Sequence, residues 1–90
     1  MADMYKVENP VYMDYDDMWE KYEENMIVIT NVVREGERSR FKGGIVRYYG
    51  KDKKGLLDMW VDLGNIEEYG ECSFDILVKD KGDFLIYAHT

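Results

Sequence analysis

Cysteine and histidine each occur once in the 90 residues, at Cys72 and His89. A lone cysteine cannot close an internal disulfide, and small secreted domains usually depend on several, so a reducing cytoplasmic setting is expected. His89 stands one residue from the C-terminus, where chain ends fray, with no base or ligand beside it. No run approaches the ~20 consecutive apolar residues of a membrane helix. The opening "MADMYKVENP" lacks the charged-then-apolar layout of a secretion signal, so no membrane partner is expected. G-x-G-x-x-G, a Walker loop, G-x-S-x-G and C-x-x-C are all missing, and no D-x-D-x-D-G loop with a closing Glu could wrap calcium. These absences leave no catalytic, cofactor-binding or metal-ligating residue to name, and a non-enzymatic protein without a cofactor is the expectation.

What is present favours a packed fold. Hydrophobic residues make up 46% and aromatics 14% of the chain, too rich a mixture for disorder. At this length the chain forms one domain, residues 1–90. Its net charge of −7 is unevenly spread. Residues 34–54 hold eight cationic side chains against three carboxylates, +5, which leaves −12 for the rest. Such an acidic balance disfavours generic nucleic-acid binding, although a local basic region can still hold an anion.

Periodicity supplies the elements. Tyr15, Met18, Trp19 and Tyr22 stand at i, i+3, i+4 and i+7, one face of a helix expected over 15–25, with Asp14 as its cap and Asp16 and Asp17 against its positive end. "MIVITNVV" reads as a largely buried strand over 26–34. "EGERSR" suits a hairpin connection, and "FKGGIVRYYG" returns as a strand in which Gly43-Gly44 predicts a bulge or a close backbone approach. Gly50 breaks that strand. Asp52 then caps a second helix whose face is Leu56, Met59, Trp60 and Leu63, with Gly64 at its end. "CSFDILVK" alternates with period two, "DKGD" is turn chemistry, and "FLIYAH" reads as a final hairpin strand. "MYKVE" offers one short edge strand.

Helix-strand-strand therefore occurs twice, and Asp17-Met18-Trp19 repeats 41 positions on as Asp58-Met59-Trp60, which internal duplication would also explain. The expected fold is α+β: a two-layer sandwich with an antiparallel sheet of four strands, five if "MYKVE" pairs, and two helices on one face. Trp19 and Trp60 would then be buried in the same layer.

Local motifs yield little chemistry. "YDDM" resembles a tyrosine signal, but Tyr15 and Met18 belong to the helix face, and adaptor domains read extended, exposed peptide. In "NPVY", Pro10 marks a turn or extended entry. The carboxylates Asp17, Glu20 and Glu24 fall on the solvated side of the first helix, the ordinary place for charge. The strongest local feature is the basic hairpin, where Arg38, Arg40, Lys42 and Arg47 stand with Tyr48 and Tyr49. Interleaved Arg and Tyr can pair phosphates and stack on bases, so these four are the candidate anion or nucleic-acid contacts. The plainer alternative is a solubilising hairpin whose cations face the acidic first helix.

The phrasing "MWEKYEENMIVITN…GGIVRYYG" resembles a group of small uncharacterised proteins from Firmicutes, in which a Trp/Tyr helix leads into a V-I-T-N-like strand and a Gly-rich return. The resemblance covers the first half of the chain. It implies a bacterial cytoplasmic setting and carries no activity or site residues. The function expected is a small protein-binding module, its partner another protein or a second copy of itself. The alternatives are anion or nucleic-acid contact through the 34–54 hairpin, or an acidic surface that mimics a nucleic acid.

Overall fold

A computed structural model describes residues 3–35 and 40–78. The final strand expected in "FLIYAH", the hairpin turn and His89 lie outside the described residues. Strands β1 (Met4–Lys6) and β2 (Tyr12–Asp14) precede helix α1 (Tyr15–Lys21). Two long strands follow, β3 (Asn25–Glu35) and β4 (Arg40–Gly50), then helix α2 (Lys53–Gly64), a single 3-10 turn at Glu67–Tyr69 and strand β5 (Ser73–Leu77). The chain is thus α+β, with one antiparallel sheet in the order β1-β4-β3-β5. β2 pairs with β4 as well, so β1 and β2 share one edge of that strand, opposite Tyr48–Gly50 and Gly43–Ile45 respectively.

The helix ends follow their local chemistry. Asp52 accepts a hydrogen bond from the Gly55 amide at 3.1 Å, the cap expected of it. Asp14 stands at the corresponding position of α1, yet its carboxylate accepts from the Tyr12 hydroxyl at 3.1 Å and not from a helix amide. α1 stops at Lys21, four residues earlier than its apolar spacing predicts. Glu24 adopts a left-handed φ of 70° and donates its amide to the Leu77 carbonyl at 2.7 Å, which turns the chain into β3 beside β5. Pairing of the sheet outcompetes a further helical turn.

The expectation of two helices on one face is corrected by the core. Ile27 and Ile29 pack with Met18 of α1, with Tyr22 directly after it, and with Val46 and Leu77. Val28, between them, packs with Leu56 and Leu63 of α2. Successive side chains of a strand point to opposite sides, so α1 and α2 cover opposite faces and the sheet is the middle of three layers. The cause is visible in "IVIT": Ile27, Val28, Ile29 and Thr30 are all fully buried, which requires cover on both sides. Each of the three aliphatic side chains contributes roughly 1.5–3 kcal/mol by leaving water. Trp19 and Trp60 consequently lie in different layers. Trp19 is half-buried against the α1 core, and Trp60 is 37% exposed with its ring 6.5 Å from that of Phe74.

The irregularity foreseen at Gly43-Gly44 is present and belongs to a set of three. Thr30 pairs with Ile45 and Val33 with Gly43, so β3 carries one extra residue there, and Asn31 takes a left-handed φ of 52°. On β4 the extra residues are Arg47 and Lys42. A methyl on Gly44 would stand 2.6 Å from Ile29 Cγ2 and 3.0 Å from the Thr30 carbonyl oxygen, so only glycine admits this approach.

The two clusters make an asymmetric stability prediction. Leu56→Ala, a truncation at a fully buried site, should cost about 2–5 kcal/mol. Trp60→Ala should cost only roughly 1–2 kcal/mol despite the larger side chain, because much of the indole stays in water. Urea unfolding of both variants checks the order; equal costs would contradict the rim placement of Trp60.

Candidate functional site

Of the four basic residues singled out from the sequence, the structure describes the side chains of Lys42 and Arg47, which stand apart. Arg38 lies outside the described residues, and Arg40 is the first residue of β4. Lys42, the extra residue of its bulge, is exposed at the rim of a cleft beside α1. Arg47, the extra residue of the other bulge, turns inward. Its Nε donates to Thr30 Oγ1 at 2.9 Å and one Nη to Asn31 Oδ1 at 3.5 Å, and its guanidinium stacks 4.6 Å from the centre of the Tyr69 ring. This satisfies Thr30, the one buried polar side chain among the described residues, whose hydroxyl also donates to Asn31 Oδ1 at 2.8 Å.

Arg47 thereby helps to pin the segment after α2. Asn31 Nδ2 donates to the Glu68 carbonyl at 3.2 Å, and the Val32 amide donates to that of Glu71 at 3.0 Å. Arg34 grips the Glu71 carboxylate with its Nε, 3.0 and 2.8 Å from the two oxygens, and with an Nη. The pair holds Glu71 below the usual carboxylate range, chiefly by hydrogen bonding. Being solvent-exposed it adds little to stability, but it fixes geometry.

Two surfaces result. The first is the cleft beside α1, of about 610 Å³, where Asp14, Asp16, Glu35 and Asp75 face Arg34 and Lys42. Tyr15 and Phe41 form its aromatic wall, their rings 4.7 Å apart and edge to face. Burial pushes the Asp75 carboxyl above its ordinary value, opposed by a hydrogen bond from Tyr15 and the charge of Arg34. Burial likewise raises the Tyr15 phenol. Chemically the cleft offers a carboxyl, a phenol and a guanidinium already committed to Glu71. Among the described residues no group of three His, Cys, Asp or Glu side chains could hold a metal ion.

The second surface lies on α2 and the pinned segment. Trp60, Val61 and Ile66 are exposed there. Trp60, Val61, Gly64, Gly70 and Cys72 line a shallow hollow of about 430 Å³. A Cβ on Gly64 or Gly70 would meet no atom within 4 Å, so open space lies over both glycines, and of the two Gly70 alone holds a left-handed φ of 57°. Cys72, the half-buried thiol at one wall, is pushed up by burial and is therefore a poor nucleophile. Sequence periodicity assigned Trp60 to the core face and gave no sign of the hollow. The exposure of Val61 and Ile66 around a Gly64-Asn65 helix end was the available signal.

No described helix is long and apolar enough to cross a membrane. No family model, curated protein or solved structure matches the chain.

The cleft generates a pH prediction. A carboxyl raised by burial binds its proton more tightly in the folded state, so folding loses stability as pH rises from the ordinary value of 3.8 through the raised one. Asp75→Asn should therefore melt above the parent at pH 7, with the gap closing below about pH 4. Thermal melts of both proteins between pH 3 and 8 check this; a gap independent of pH would contradict it.

Proposed function

We propose that the chain is a small non-enzymatic protein-binding module of a bacterial cytoplasm, and that it docks through the outer surface of α2. The observation that supports this most is the exposure of Trp60 and Val61 at a hollow whose far wall is held by Asn31, Val32 and Arg34. Tryptophan is enriched at the centres of protein interfaces, and a wall fixed before binding lowers the ordering cost of association. Arg47, one of the four residues named for anion contact, is engaged with Thr30, Asn31 and Tyr69. That alternative therefore has less support than the interface.

The cleft beside α1 favours a second reading, a small-ligand or catalytic site, because it gathers Tyr15, Arg34 and Asp75. It ranks second because Arg34 is spent on Glu71 and because most of the lining, from Asp14 to Lys42, is exposed.

A photo-crosslinking residue at Val61, which is 57% exposed, tests the interface in the native host. Discrete protein adducts are expected from Val61 and not from Lys53, an exposed control on the same helix. The same adduct pattern from both positions, or none from Val61, would overturn the proposal.

A further inference from the structure

The partner's chemistry follows from what surrounds the hollow. Asp58, Asp62, Glu67, Glu68 and Glu71 are all exposed along α2 and the turn after it. Lys54 pairs with Asp58 at 3.2 Å and Arg34 with Glu71. Among the described residues, Asp62, Glu67 and Glu68 have no cation paired with them. Asp62 directly follows Val61, and Glu67 and Glu68 directly follow Ile66. Residues 58–71, which carry the apolar centre, hold five carboxylates and no cationic side chain, and this acidic stretch is its border.

We infer that this face takes a basic, amphipathic protein segment, which inserts an apolar side chain between Trp60 and Cys72 and sets lysines or arginines against Asp62, Glu67 and Glu68. The inference rests on the protein-binding reading above and adds the partner's chemistry to it. Other occupants fit less well. A second copy carries the same net charge of −7, its +5 at residues 34–54 outweighed by −12 elsewhere, and is repelled at long range. A nucleic acid and an anionic lipid surface are repelled by the same border. A segment with cations around an apolar ridge gains from both features: the charges steer the encounter and the ridge displaces water from the hollow.

The glycines make a clean blocking variant available. A Cβ added at Gly64 meets no atom within 4 Å and its φ is not left-handed, so Gly64→Trp directs an indole into the open space of the hollow. The probes are three synthetic peptides titrated into the full chain and followed by amide and indole NMR shifts. One is a Leu/Lys amphipathic helix, one its Leu/Glu counterpart, and one a Ser/Lys peptide of equal charge.

Saturable shifts at the Trp60 indole, Gly64 and Gly70 are expected with Leu/Lys alone. Gly64→Trp should weaken that binding by about tenfold or more, and reversal of Glu67 and Glu68 to lysine should transfer the preference to Leu/Glu. Equal binding of Ser/Lys would show charge attraction without insertion and overturn the inference. Binding of Leu/Glu to the parent, or shifts centred on the cleft beside α1, would overturn it as well. If Val61 crosslinks to protein but Leu/Lys fails to bind, the partner chemistry is wrong and the module stands. If Val61 yields no adduct, the module itself falls.

Discussion

Four consecutive residues of β3, Ile27 to Thr30, are sealed from water, and a strand achieves that only when both of its faces are covered. Everything else in the molecule answers to this. α1 closes one side through Met18, with Tyr22 directly after it, and α2 closes the other through Leu56 and Leu63. A domain of this length has little apolar surface to spare, so each helix commits a single stripe and each stripe serves one face.

Burying Thr30 sets the position of the proposed interface. An unpaired hydroxyl in the core would cost about 1–3 kcal/mol, and Arg47 and Asn31 meet that demand together. To reach it, Arg47 stands as the extra residue of a bulge and Asn31 adopts a left-handed backbone. The same two side chains then hold the turn after α2, one by stacking on Tyr69 and one through the Glu68 carbonyl. Core satisfaction and the shape of the outer surface are thus one network, and the hollow beside Trp60 is its outward consequence.

Much of this architecture was legible in the sequence, for stated reasons. The stripes at Tyr15–Tyr22 and Leu56–Leu63 marked two helices, Asp52 marked a start, and Gly43-Gly44 marked a close approach that Ile29 and Thr30 supply. What misled was the choice of face. Similar stripes suggested a shared layer, whereas the unbroken run in β3 was the better guide, since alternation would have been expected of a strand covered on one side only. The inward contacts of Arg47 were not legible, because nothing local announces a buried threonine opposite a bulge. The Tyr15–Asp75 pairing joins residues far apart in the chain, which no spacing rule can anticipate.

The central claim, that β3 has a helix on each side, is tested most directly by methyl NOEs in isotopically labelled protein. The account predicts contacts from the Ile27 and Ile29 methyls to Met18 and Tyr22, and from the Val28 methyls to Leu56 and Leu63, with none between Val28 and Met18. Contacts from Met18 and Leu56 to the same isoleucine methyls would place both helices on one face and contradict it.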